Sequence, residues 1–345
     1  MSPTHPLELK LATSWPPENW QDLTVLLAVS GGSDSIAILR AMSALCRKPS
    51  NRFQVAHFNH GLRAAEADRD EDFVRELCRS LQVPCIVGRA GRCCPPLGVK
   101  GSLEASARDA RYAFLQEQAE RIGARYVVAA HTADDQAETI LHRIIRGTGI
   151  GGLAGMPRAR KLGPAVTLIR PLLDFHRQEL RDYLADIGQD YREDTSNSDT
   201  RMTRNRIRHE LLPMLADRFN PSVDQALLRL GSLAGELQAV IDPLVEQLFH
   251  ENVIVDVDDT EHPKSVRIDA RHLAHEPSYL VRKLLITVWR HNNWPMQAMG
   301  LDEWSQLAEM VKSSASTTSA TVQRRIFPAN IAAIAKSGSL LLYRG

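Results

Sequence analysis

Apolar and polar positions alternate in blocks from residue 24 onward. Thr24-Val-Leu-Leu-Ala-Val29 is a short, continuous apolar run, as expected of a strand buried in a parallel sheet. It breaks at Ser30-Gly-Gly-Ser-Asp-Ser35, and apolar residues then recur at Ile36, Leu39 and Leu45 with helical spacing. Phe53-Gln-Val-Ala-His-Phe58 predicts a second strand and Ala64–Leu81 a highly charged helix. A strand over Val83–Val87, a helix over Leu103–Ile122, a strand over Tyr126–His131 and a helix over Asp134–Arg146 follow. Strands separated by helices of this length predict βαβ units. The expected fold is α/β, a doubly wound, mainly parallel sheet with helices on both faces.

The alternation weakens after that. Residues 147–173 are rich in glycine, His176–Ile187 reads as a helix, 190–206 is polar, and helical periodicity runs from Ile207 to Phe249. Val253–Val257 and Val266–Ile268 read as strands, Ser278–Arg290 and Leu301–Val311 as helices, and Lys312–Thr321, rich in Ser and Thr, as a loop. These changes predict a large first domain over 1–215, a helical linker over 216–250 and a smaller C-terminal α+β domain over 251–345.

Composition adds exclusions. The 345 residues are 43% hydrophobic and 24% charged, which argues against a disordered or fibrous chain. No apolar run approaches the roughly 20 residues that span a bilayer, and Met1-Ser-Pro-Thr-His-Pro6 lacks the pattern of a secretory signal. Five cysteines without any C-x-x-C give no support to a disulfide framework or a zinc ribbon, and a cytoplasmic location is expected. With 42 Lys+Arg against 41 Asp+Glu, the net charge of +1 rules out a uniformly basic coat but not a local basic patch.

The candidate chemistry begins at Ser30-Gly31-Gly32-Ser33-Asp34-Ser35. A strand ends, two glycines free the backbone, and a helix starts at once, so backbone N–H groups and a helix dipole point at one spot where phosphate binds. The Gly-Lys-Ser/Thr ending of a Walker A loop is absent, and an ordinary capped helix start is the competing explanation. Gly147-Thr-Gly149-Ile-Gly-Gly152 fits G-x-G-x-x-G but follows a helix instead of a strand, which argues against a nicotinamide dehydrogenase.

A second group lies in His131-Thr-Ala-Asp134-Asp135-Gln-Ala-Glu138-Thr139. Its carboxylates share a helix face and could hold Mg²⁺, or bind an ammonium group and take its proton. A local explanation also exists: Thr132 as an N-cap with Asp135 three residues on. From Thr139 to Leu173 there is no acid but Arg143, Arg146, Arg158, Arg160, Lys161 and Arg170. Arg201 to His209 adds Arg201, Arg204, Arg206 and Arg208, again without an acid. Two acid-free basic stretches favour RNA as a polyanionic partner.

Ser-Gly-Gly-x-Asp-Ser after a first strand resembles the pyrophosphate loop of N-type ATP pyrophosphatases, the PP-loop proteins. The later stretches narrow the likeness. Phe58-Asn59-His60-Gly-Leu-Arg63, Ser102 to Tyr112, His131 to Thr139, Arg146-Gly-Thr-Gly149, Gly155-Met-Pro157, Arg170-Pro-Leu-Leu173, Glu193-Asp-Thr-Ser-Asn197 and Arg204 to Arg208 occur in order. Over roughly 24–215 this series resembles the tRNA(Ile)-lysidine synthases. Where the family commonly has a His-His pair, this chain has His131-Thr132.

The resemblance implies an ATP pyrophosphatase catalytic domain over 1–215 and an accessory, tRNA-binding domain over 251–345. It implies ATP-dependent ligation of free L-lysine to C2 of the wobble cytidine of isoleucine tRNA with a CAU anticodon, through an adenylated cytidine, releasing AMP and pyrophosphate. Ser30, Gly31, Gly32, Ser33, Asp34, Ser35, Asn59, Arg108 and Arg111 are the expected ATP contacts, with Mg²⁺ near Asp34. Asp34, Asp135 and Glu138 are the expected catalytic groups, and Arg146, Arg201, Arg204, Asn205 and Arg208 the tRNA contacts. No membrane partner is expected, and a homodimer is open. The rival functions are a tRNA thiolase of the same superfamily and a non-catalytic, ATP-responsive RNA-binding protein.

Overall fold

The computed structural model describes residues 5–46, 52–61, 64–90, 103–192, 203–257, 265–316 and 322–345. The chain divides into two compact units, residues 1–235 and 236–345. Among the described residues, no helix is long and apolar enough to cross a membrane.

In the first unit, α1 (Pro6–Ser14) precedes β1 (Val25–Ala28), α2 (Ser33–Leu45), β2 (Phe53–Asn59), α3 (Ala64–Ser80), β3 (Cys85–Arg89) and α4 (Leu103–Arg121). There follow β4 (Tyr126–Ala129), α5 (Ala133–Ile145), the one-turn α6 (Ile150–Leu153), β5 (Ala159–Lys161), β6 (Thr167–Ile169) and α7 (Arg177–Asp186). The six strands lie in the order β3-β2-β1-β4-β6-β5, all parallel except β5, which runs antiparallel to β6.

The period of two along β1 sorts its side chains into two cores. Val25, Leu27 and Val29 pack with Ile36, Leu39 and Met42 of α2 and with Leu180 and Leu184 of α7. Leu26 points the other way, toward Phe114, Leu115 and Ala119 of α4. Gly88 of β3 lets α4 approach closely, since a Cβ there would lie 2.5 Å from the Phe114 ring. Chain connections run from β1 toward β2 on one side, while β4 pairs with β6 on the other. The loops after β1 and β4 therefore diverge at the carboxyl edge and open the crevice where such sheets take ligands.

The polar-rich stretches depart from expectation in three places. Residues 147–173 contain α6, β5 and β6; strands of three residues are too short to display a period of two. The helical run after residue 203 breaks into α8 (Thr203–Arg206), a π-helical turn (Ile207–Leu211), α9 (Leu212–Arg218) and α10 (Val223–Asn252). Ile207 and Leu227 pack there against Ala137, Ile140 and Leu141 of α5.

The second unit holds the end of α10, then β7 (Val253–Val257), β8 (Ser265–Asp269), α11 (Ser278–His291), α12 (Leu301–Ser316), β9 (Gln323–Phe327), β10 (Ile331–Lys336) and β11 (Ser339–Arg344). Its strands form an antiparallel sheet in the order β7-β8-β11-β10-β9, and one face buries Val266, Ile268, Ala333, Leu340 and Leu342 against α11 and α12. Lys312–Thr321, expected as a loop, is the third departure: α12 runs on to Ser316. Ser313 and Ser314 donate their hydroxyls to Met310 O (3.2 Å) and Val311 O (2.8 Å), so these polar side chains are satisfied inside the helix. Residues 317–321 lie outside the described set.

Candidate active site

The corner after β1 is built around Gly31, whose φ of +103° only glycine adopts without strain. Ser35 Oγ ties the corner together. It accepts from the N–H groups of Ser30 and Gly31, both at 3.2 Å, and donates to Gly32 O at 2.9 Å. Ser30 Oγ lies 3.2 Å from it. Arg192 N–H, donating to Gly31 O at 2.9 Å, pins the loop from outside. The first N–H groups of α2 have no acceptor within the helix and face the crevice with the dipole's positive end. The hydroxyls of Ser30, Ser33 and Ser35, all expected ATP contacts, are thus largely used in shaping the loop: Ser33 Oγ also donates inward, to Asp34 Oδ1 at 3.1 Å.

One strand over, Thr132 caps α5. Its hydroxyl accepts from Asp135 N–H (3.3 Å), and its own N–H donates to Asp135 Oδ2 (3.0 Å). The cap fixes the Asp135 carboxylate, leaving Oδ1 to meet cations. Arg177, Arg204 and Arg208 all reach that oxygen, with Nη2 at 3.1, 3.3 and 3.1 Å. Glu138, one turn on and buried, takes Arg208 Nε on Oε1 at 2.6 Å and Arg204 Nε on Oε2 at 3.0 Å. Arg177 also crosses to the other half of the crevice, with Nε 3.3 Å from Asp34 Oδ2. Its backbone N–H donates to Asp134 Oδ2 at 2.8 Å.

Asp34, Asp135 and Glu138 therefore stand in one ion-pair cluster. Arg204 and Arg208, expected at the tRNA, join that cluster through the acids of α5. Arg177 was not singled out in the sequence; the only signal for it was an arginine at the first turn of a helix beginning at the sheet's carboxyl edge. Asn205 is half-buried in α8, and Arg146 is exposed at the end of α5. Arg201 lies outside the described residues, as do the Glu193–Asn197 motif and the Cys93-Cys94 pair.

Asn59 ends β2, buried, with its amide already engaged. Nδ2 donates to Ala67 O, Asp68 Oδ1 and Glu71 Oε2 at 3.3, 3.3 and 3.1 Å, and Oδ1 accepts from Gly61 N–H at 2.9 Å. Its side chain shapes the turn after β2. Arg108 and Arg111 flank Tyr112 at the middle of α4, with Arg160 over the same ring at 4.7 Å. Among the described residues nothing accepts from the buried Nε of Arg111. Arg170, fully buried, donates from Nε to His131 Nδ1 (3.2 Å) and from Nη1 to Pro157 O (2.7 Å).

Burial and charge set the protonation states. Burial lifts the Asp34 carboxyl above its ordinary range, and Arg177 only partly offsets this. Burial works the same way on Asp135, but Arg204 and Arg177 outweigh it and hold that carboxyl below its ordinary range. His131 is pushed down to about 3, chiefly by burial, so its imidazole is neutral, and because Nδ1 accepts from Arg170 its proton sits on Nε2. Burial would raise the Tyr112 phenol, but Arg111, Arg108 and Arg170 prevail and lower it.

The described residues contain no cluster of three or more His, Cys, Asp or Glu side chains suited to hold a metal ion by themselves. Asp34 fits Mg²⁺ in the other common mode, in which one carboxylate and the substrate's own phosphates share the ion. The crevice therefore combines an anion-binding corner, a half-buried carboxylate beside it, and a pair of carboxylates that select for cations.

A family model described as a PP-loop domain matches residues 5–215. A tRNA(Ile)-lysidine synthase from Rhodopirellula baltica is 34% identical over 342 residues, covering 89% of this chain and 84% of that protein. One from Geobacter sulfurreducens is 40% identical over 263 residues, covering 75% of this chain and 53% of that protein; the chain spans about half the length of that relative. Among solved structures, the U34-tRNA thiolase NcsA from Methanococcus maripaludis, with its 4Fe-4S cluster, matches with a TM-score of 0.55 at 14% identity, covering 66% of this chain and 78% of that one. At that identity the likeness is one of fold.

Proposed function

The chain belongs to the tRNA(Ile)-lysidine synthase family of PP-loop proteins, and from that premise we propose that it joins free L-lysine to the wobble cytidine of an isoleucine tRNA with a CAU anticodon. It is an ATP-dependent ligase acting on tRNA. In the first step the C2 oxygen of cytosine attacks the α-phosphorus of ATP, the α–β bond breaks, and pyrophosphate leaves. In the second, the lysine ε-amine attacks C2, the C2–O bond breaks with AMP as leaving group, and the amine gives up a proton. The cytidine must be turned out of its stack to reach the crevice.

The geometry supports the following division of labour. The Gly31–Gly32 corner and the first turn of α2 hold the outgoing diphosphate, with Arg108 and Arg111 as the nearby cations for the nucleotide. Asp34 would hold Mg²⁺ together with the phosphates. When bound, that ion supplies neutralisation of charge building on the transferred phosphoryl group. Asp135 and Glu138 grip the lysine ammonium and take its proton. Asn59 keeps the turn after β2 in shape, and Arg146, Arg201 and Asn205, with the unit from residue 236 onward, are proposed to contact tRNA. A cytoplasmic location and a homodimer, measurable by sedimentation velocity, belong to the same proposal.

The observation that carries this reading is the meeting of a phosphate-binding corner and a cation-selective carboxylate pair across one crevice. Incubation with labelled ATP, lysine and a CAU-anticodon transcript should give AMP, pyrophosphate and a nucleoside heavier by one lysine. Sulfur in the nucleoside would favour the thiolase reading, and bound but unsplit ATP would favour a non-catalytic one.

A further inference from the structure

The cation-selective carboxylates already hold cations, and they belong to the chain itself. Three guanidinium groups cover Asp135 and Glu138. An incoming ammonium needs those same oxygens, so lysine cannot be gripped while all three stay. Among the three, Arg177 stands apart in its reach: one guanidinium spans Asp34 Oδ2 at 3.3 Å and Asp135 Oδ1 at 3.1 Å, with Glu138 Oε1 at 3.8 Å.

Its backbone is fixed while its side chain reaches out. His176 N–H donates to Glu179 Oε2 at 2.6 Å in the box that starts α7, and Arg177 N–H is held by Asp134. The tether sits on one side of the crevice and the head between its two halves. Arginine also suits this position chemically. Its guanidinium never loses its proton under working conditions, so it can neutralise the acids without offering a rival amine nucleophile, as a lysine would.

We propose that Arg177 is a positioning residue of the ligation: its guanidinium couples the phosphate-loop carboxylate to the α5 carboxylates and stands in for the lysine ammonium until the amine replaces it there. This rests on the functional reading above. Exchange has two consequences. Lysine binds against a competitor built into the chain, which weakens its apparent affinity by the fraction of time the site is covered. While the guanidinium remains on Asp34, it keeps the loop and α5 at one spacing for the first step.

The two consequences predict opposite shifts on removal. Arg177→Ala should lower the KM for lysine by about threefold or more while lowering kcat for lysine transfer by about tenfold or more. Arg177→Lys restores a cation without the two-sided fork, and should recover only part of kcat. The measurements are steady-state lysidine formation with wild type and both variants, lysine binding by calorimetry, and thermal melting to confirm folding. A merely structural arginine would raise the lysine KM or leave it unchanged in both variants, and either result overturns the proposal. If the wild type itself forms no lysine-bearing nucleoside, the functional reading fails first and takes this inference with it.

Discussion

At the residue scale, the same fold gives two neighbouring carboxylates opposite tendencies. Asp34 is half-buried with one cation partner, and its charged form is disfavoured; Asp135 is buried among several cations, and its charged form is favoured. Replacing Asp34 by Asn keeps the shape and removes a charge that burial opposes. Stability should therefore change by less than about 1 kcal/mol, while pyrophosphate release should fall by about 100-fold or more. Thermal melts and a coupled pyrophosphate assay separate the two effects, and near-normal turnover would remove Asp34 from the chemistry. His131 makes a prediction about pH. Its ordinary value is 6.5 and its folded value about 3, so between these the unfolded chain binds a proton that the folded chain does not. That contribution is fully present above pH 6.5 and is lost as pH falls toward 3. Between pH 7.5 and 5.5 the wild type should lose on the order of 1 kcal/mol more stability than His131→Gln, after allowance for the ring's partial exposure. Urea midpoints at the two pH values test this, and parallel curves for the two proteins would refute it.

At the scale of elements, the cap of α5 is also part of the site. Thr132 satisfies the start of the helix and aims Asp135, so the ordinary explanation of this motif and the functional one describe a single arrangement. Thr132→Ala should cost about 1 kcal/mol, the usual worth of an N-cap, and should also raise the KM for lysine because Asp135 loses its support. Thr132→Ser keeps the hydroxyl and should restore both; an Ala variant that is destabilised yet keeps a normal lysine KM would detach the cap from the site. Much of this was legible in the sequence. β1, its glycine corner and α5 stood out because a buried strand, a loop that needs glycine and a helix follow one another without a gap, and periodicity reports such local events. Arg177 did not stand out, because its partners Asp34 and Asp135 are 143 and 42 residues away and no local pattern encodes a contact of that kind. β5 and β6 were hidden for a different reason: β6 is held in place by β4, and β5 by β6, more than by any alternation of their own. Asn59 was visible as a residue, but its engagement with Glu71 was not.

For the whole molecule, a net charge of +1 says little about recognition, because the cations are not spread evenly. The acid-free run from Thr139 to Leu173 supplies Arg143, Arg160 and Arg170, and α4 supplies Arg108 and Arg111. Arg108, Arg111 and Arg160 converge on the Tyr112 ring, while Arg170 lies close enough to lower the Tyr112 phenol. Burial first, and neighbouring arginines after it, lower the pKa values of Arg143 and Arg170, so positive charges add to one another here. An approaching phosphodiester would relieve that crowding and release counterions from the RNA, so binding should weaken steeply as salt rises. Arg160→Gln removes one such cation without touching Asp34, Asp135 or Glu138. It should lower tRNA affinity and make the slope of log K against log salt shallower by about 0.7 to 0.9, with the effect shared between cognate and non-cognate transcripts. Filter binding between about 50 and 200 mM salt covers the range over which such slopes are clear. An unchanged slope would mean that RNA is held by some other surface, and that the arginines around Tyr112 serve only the nucleotide.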